Sequence, residues 1–157
     1  RECSIVRWRW KTDTVYGTGN AATKEGDDYP LRVYVVFPYD PDEAGWGTRL
    51  KFNAMKTLYG RYPPRASLCY IWANRSHGAE VLDNPVNERT KLFPLQAGTN
   101  RVGRWVTEQI DIVRDYRRAF GGEVPDEAVL GLMNDSDNTG EASVSYLDYI
   151  EVRHGGD

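Results

Sequence analysis

Histidine and cysteine are scarce in this chain, with two of each among 157 residues. His77 and His154 stand isolated, so no Cys/His metal spacing, zinc motif or catalytic Cys–His pair can be drawn. No serine elbow is present. The "GTGN" of residues 17–20 is not followed by a helical pattern and so makes no phosphate loop. No apolar run approaches the roughly 20 residues that cross a bilayer, and no membrane insertion is expected. Neither sign of charge dominates: 20 Lys and Arg against 23 Asp and Glu leave a net charge of -3. That is too little to argue for nucleic acid or an acidic membrane surface as partner. Internal repeats and low-complexity tracts are lacking. No initiator Met opens the chain and no signal peptide is visible, which predicts a processed terminus or a lost N-terminal segment.

What is present points to one soluble domain with one core over residues 1–157: 27% charged and 40% hydrophobic residues. Five Trp and ten Tyr are many for this length. They suit core packing, a ring-lined ligand groove, or both with different rings. "CSIVRWRWK" alternates with period two, setting Val6, Trp8 and Trp10 against Arg7, Arg9 and Lys11. "PLRVYVVF" sets Leu31, Val33, Val35 and Phe37 against Arg32, Tyr34 and Val36. "ASLCYIWAN" sets Leu68, Tyr70, Trp72 and Asn74 against Cys69, Ile71 and Ala73. "RWVTEQIDI", "AVLGLMN" and "EASVSYLDYIEVR" bring the strands to about six, the last with Ala142, Val144, Tyr146, Asp148, Ile150 and Val152 on one face. Residues 38–66 form a long connection in which "TRLKFNAMKTLYG" holds a short helix closed by Gly60. Another irregular stretch runs from residue 75 to "KLFPLQAG". A helix near 111–120 is capped by Asp111 and ended by Gly121. Without βαβ alternation, the expected class is an all-β, antiparallel β-sandwich with long loops.

Two loops concentrate oxygen-bearing side chains beside strands: "KEGDDYP" before one, with Asp27 and Asp28, and "MNDSDNTG" after another, with Asp135, Asp137 and Asn138. Three readings compete. Asp and Asn can simply bond their own backbone in a turn. Asp135 and Asp137 can help hold Ca²⁺, which takes six to eight oxygens; the EF-hand motif itself is excluded, since the flanking helices and the closing Glu are missing. If the loops meet, Glu25, Asp27, Asp28, Asp135 and Asp137 can supply a glycosidase acid and base, which need a separation of roughly 5 to 10 Å. Arg7, Arg9 and Lys11, expected beside Arg32 and Tyr34, form either a solvated sheet face or a basic stripe for anionic sugars. Tyr70, Trp72 and Asn74 on one strand face offer rings and an amide to a sugar, or pack in the core. Cys3 and Cys69 form a disulfide, which would imply an oxidising compartment, or are buried thiols.

"WRWK", "KEGDDYPLRVYVVF", "CYIWAN", "RWVTEQIDIVRDYRRAFG" and "MNDSDNTG…SYLDYIEV", in this order, resemble a bacterial family known as domain of unknown function 3047. The ending "SYLDYIEV" is also similar to the last strand of galactose-binding-like jelly rolls, the group that holds many carbohydrate-binding modules. The resemblance implies a jelly-roll β-sandwich in exported bacterial proteins, periplasmic or secreted, without an assigned activity. Family members carry further sequence before "WRWK", so an edge strand is missing here or supplied by another chain. The functional expectation is an oligosaccharide or polysaccharide ligand bound by Asp27, Asp28, Arg32, Tyr70, Trp72, Asn74, Asp135, Asp137 and Asn138. The alternatives are a glycan hydrolase or lyase using the clustered acids, and a purely structural envelope domain.

Overall fold

A computed structural model describes residues 3–42, 44–59 and 62–155. In chain order the elements are β1 (Cys3–Thr12), β2 (Arg32–Phe37), α1 (Trp46–Tyr59), β3 (Ala66–Ala73), β4 (Leu82–Asp83), β5 (Thr90–Ala97), β6 (Val106–Asp111), α2 (Ile112–Phe120), β7 (Val129–Met133) and β8 (Ser145–His154). A three-stranded sheet runs β6-β1-β8 and a five-stranded sheet runs β4-β5-β3-β2-β7. The protein is a mainly β, two-sheet sandwich, as the strand patterning predicts.

The alternation seen in the sequence is what packs the two sheets together. Val6, Trp8 and Trp10 of β1 face Val33, Val35 and Phe37 of β2 and Leu68, Tyr70 and Trp72 of β3, all of them buried. The rings interlock: Trp8 lies 5.6 Å edge-on from Trp10 and 5.7 Å from Tyr70, and Trp10 lies 5.8 Å from Trp72. Such pairs add about 0.5–1.5 kcal/mol each beyond the area they bury. One end of the sandwich is closed by α2. The Asp111 carboxylate accepts from the Val113 and Arg114 amides, Gly121 ends the helix at φ 71°, and Tyr116 meets Phe37 at 4.8 Å. Helix α1 is mostly exposed; its Phe52 is buried and stacks on Tyr39 at 3.8 Å. Gly60, expected to close it, lies outside the described residues.

Four expectations need correction. First, "KLFPLQAG" belongs to a strand: β5 pairs with β3, and in parallel, so the sandwich is not wholly antiparallel. Second, β8 does not keep one face throughout. Its pairing with β1 slips between Arg9 and Trp10, so Leu147 rather than Asp148 packs inward, while Val144 and Tyr146 are exposed. Third, Arg32 and Tyr34 do not lie beside Arg7, Arg9 and Lys11, because β1 and β2 belong to different sheets. Fourth, Cys69 is a buried free thiol. It lies on the face of β3 turned away from the sheet that contains Cys3, among Tyr29, Ile71 and Leu92. The disulfide argument for an oxidising compartment therefore falls away.

Candidate functional site

Strand β2 turns Val33 and Val35 into the core, so Arg32 must point to the other side of the five-stranded sheet. There it is almost wholly buried by two loops: residues 16–31, which lead into β2, and residues 134–143, which follow β7. The β2–β7 ladder pairs Arg32 with Met133. Asp135, two residues beyond Met133, thereby reaches the guanidinium. It accepts in bidentate fashion, from Arg32 Nε at 3.1 Å and from Nη2. Arg32 Nη2 also donates to the Asp27 carbonyl at 2.6 Å, and Nη1 donates to the Tyr34 hydroxyl at 3.3 Å and pairs with the Asp27 carboxylate at 3.5 Å. The ring of Tyr29 lies against the guanidinium at 4.7 Å. Burial alone would lower the pKa of Arg32. The bonds and charge of Asp135, added to the effects of Tyr34 and Cys69, together outweigh it and hold the guanidinium above its ordinary value. At Asp27 the balance runs the other way: burial pushes the carboxyl up against the opposing pull of Arg32.

Asp28 sits beside this clamp, fully buried. Its Oδ2 accepts from the backbone amides of Asn138, at 3.0 Å, and Thr139, at 2.6 Å, so the carboxylate fastens the second loop to the first. Asn138 returns the tie through its side-chain amide, which donates to the Lys24 carbonyl at 2.5 Å. Asn74 does similar work below: its amide donates to the Asp28 carbonyl at 2.6 Å and its oxygen accepts from the Tyr16 amide at 2.8 Å. Oxygens of Asp28, Asp135 and Asp137 all lie within 4.8 Å of one another.

The structure thus brings together Asp27, Asp28, Arg32, Asp135, Asp137 and Asn138, with Asn74 adjoining. Tyr70 and Trp72 are not part of the group. Strand alternation sends them to the opposite face of the sheet, into the core, where neither ring is accessible to a sugar. The Tyr70 hydroxyl bonds Asp115 at 3.1 Å and the Trp72 indole bonds the Gly98 carbonyl at 3.2 Å. Asn74 is likewise occupied, and the Arg32 fork is spent on the protein itself. Surface cavities of about 530 and 580 Å³ are lined by other residues; of this group only Asn84, whose side-chain amide donates to the Asp27 carboxylate at 3.5 Å, reaches a third cavity, of about 500 Å³. With Asp28 buried and Asp135 clamped by Arg32, these side chains tie the two loops to each other. Four parts of the cluster were not singled out in the sequence: Tyr16, Tyr29, Thr139 and Asn84, which donates its amide to Asp27. Tyr29 follows "GDD" directly, and a ring within three residues of Asp27, Asp28 and Arg32 was the available signal.

A second constellation lies on the outer face of the three-stranded sheet. Trp105, just before β6, and Tyr146 of β8 are each about two-fifths exposed, with ring centroids 6.3 Å apart. The Arg9 guanidinium lies 5.1 Å from the Trp105 ring, and the Lys11 ammonium 4.1 Å from the Tyr146 ring. Arg9 also pairs with Asp148 at 3.2 Å, and the Tyr146 hydroxyl donates to Asp13 at 3.0 Å. The Arg9 and Lys11 end of the stripe is therefore flanked by rings, which the sequence did not disclose, because Tyr146 was placed on one face with Val144, Ile150 and Val152 and not beside the cations.

A family model described as "Protein of unknown function (DUF3047)" matches residues 1–151. The chain belongs to this family. The DUF3047 match takes in both loops of the acidic cluster and both rings of the outer face, and its description assigns no activity. No curated protein and no solved structure shows significant similarity to the chain.

Proposed function

We propose that this DUF3047 domain is a bacterial glycan-binding module, periplasmic or secreted, whose binding surface is the outer face of the three-stranded sheet. It takes oligosaccharides that carry carboxylates. The observation that carries the reading is the exposed pair Trp105 and Tyr146, edged by Arg9 and Lys11. Sugars present apolar C–H faces that rings cover, and an Arg fork matches a carboxylate in two parallel hydrogen bonds. The ion pairs Arg9–Asp148 and Lys11–Asp13 are surface pairs of small worth, so an acidic ligand can replace them at low cost. Glycan cleavage by the acidic cluster is disfavoured by the burial of Asp28 and the clamping of Asp135.

Titration calorimetry with uronic-acid oligosaccharides, and with neutral oligosaccharides as control, tests the reading. Trp105→Ala and Tyr146→Ala should each weaken binding of the acidic series roughly tenfold or more, equivalent to one exposed cation–π or stacking contact and its area. Both rings are partly exposed, so the melting temperature should change little. Full affinity in the double variant would place the binding surface elsewhere, and no binding of either series would leave a structural role.

A further inference from the structure

We propose that Asp28, Asp135 and Asp137 bind a calcium ion that locks the loop after β7 onto the turn before β2. The inference goes beyond the glycan reading and does not depend on it. Three carboxylates whose oxygens lie within 4.8 Å of one another repel unless something positive stands between them. Arg32 is the cation at hand, and its donors go to Asp135, to the carbonyl and carboxylate of Asp27, and to Tyr34. None of them reaches Asp28 or Asp137.

The second observation is independent of the clustering. Asp28 has no exposed surface at all, and while its Oδ2 takes two amides, its Oδ1 has no hydrogen-bond partner. Buried carboxylate oxygens are rarely left unpaired, because the desolvation is not repaid. The hydroxyl of Thr139, whose amide holds Asp28, is also buried without a partner. Asp137, by contrast, is exposed and makes no hydrogen bond or ion pair among the described residues. Its carboxylate stands at the open side of the cluster with nothing else to do. The donors are all oxygens, with no His or Cys in the group, which selects a hard cation over zinc. Ca²⁺ fits better than Mg²⁺. The carboxylates sit at irregular positions on two loops, and Ca²⁺ accepts variable geometry, whereas Mg²⁺ demands a near-ideal octahedron and holds its waters.

The chelator-treated full chain should melt at a higher temperature with CaCl₂ than without. At a hundredfold excess over Kd the rise should be roughly 5–10 °C, and equimolar MgCl₂ should give a smaller one. Calorimetry with CaCl₂ alone should show a single site. Asp137→Asn is the decisive variant, because Asp137 holds no other residue in place and the protein should fold as before. It should lose most of the calcium-dependent rise while its melting temperature in chelator stays within a degree or two of the parent. An equal calcium response in the parent and in Asp137→Asn, or no heat and no thermal shift in the parent at millimolar Ca²⁺, would overturn the proposal. An equal response to Mg²⁺ would overturn the assignment to calcium.

Discussion

Arg32 is buried and Glu108 half-buried, and their neighbours treat the two groups differently. Arg32 is surrounded by acceptors, and its charge is matched by Asp135 and Asp27. Replacing it would leave two carboxylates buried without a cation, the arrangement that costs most when one partner of a buried pair is removed. Glu108 makes no ion pair at salt-bridge distance among the described residues, and feels the charge of Arg101 only as a lesser effect. It accepts from the Trp10 indole at 3.2 Å and from Gln96 at 2.7 Å, both neutral donors. Burial raises its pKa above the ordinary 4.5, and these two bonds and the charge of Arg101 only partly oppose the shift. The sign follows from linkage. Between pH 4.5 and the raised value, the folded protein holds a proton that the unfolded chain has lost, so stability falls as pH rises through that window. Glu108→Gln keeps an oxygen for both donors and removes the titration. Its stability relative to the parent, measured by urea unfolding, should therefore grow from pH 4 to pH 7 and level off above the folded pKa. A gap that shrinks as pH rises would mean that the carboxylate is stabilised in the folded state.

Among the elements, the loop before β2 is held by its backbone as much as by Asp28. The Asn20 amide donates to the Gly26 carbonyl at 2.8 Å, and the Thr23 amide returns to Asn20 at 3.1 Å. This places the Gly26 α-carbon so close that a Cβ there would stand 2.5 Å from the Asn20 nitrogen and 2.9 Å from its oxygen. Backbone cannot yield as a flexible side chain can. Gly26→Ala should cost about 1–3 kcal/mol by overpacking, read as a lowered urea midpoint with an unchanged slope. A neutral result would show that the loop has room to shift. The same elements show what the sequence could and could not disclose. Alternation was legible in β1, β2 and β6, where one face meets the core and the other meets something more polar. It said less about β3, which is buried on both sides: Leu68, Tyr70 and Trp72 face one cluster, Cys69 and Ile71 another, and both sets are apolar. A pattern of that kind cannot tell an accessible ring from a packed one. β5 was hidden by Pro94 and by its parallel pairing, and the inward face of β8 by a slip in register. The acidic loops were visible as compositions. Their meeting depends on the β2–β7 register, which is a tertiary fact.

On the scale of the whole molecule, β3 is the strand on which everything rests. It lies between β5 and β2, with the three-stranded sheet on one side and the loop before β2 on the other. Cys69 is at its middle and is fully buried, which makes its thiol a reporter of how the sandwich opens. Two effects silence it in the folded state. Reagent cannot reach it, and burial pushes its pKa up to about 12 from an ordinary 9.0, so little of the reactive thiolate exists near pH 8. In a Cys3→Ser protein Cys69 is the sole thiol. Its alkylation should then be slower than in the unfolded chain by roughly a thousandfold or more, as set by the stability of an ordinary domain. The decisive quantity is the denaturant dependence of that rate. If the loop carrying Tyr29 is an integral part of the core, exposure of Cys69 requires the whole sandwich to unfold, and the slope should match that of global unfolding. A shallower slope with faster labelling would mean that the loop lifts off by itself and takes the Asp28 tie with it. Added CaCl₂ should slow such local labelling if the acidic cluster holds the loop shut, and should leave it unchanged if the cluster holds no ion.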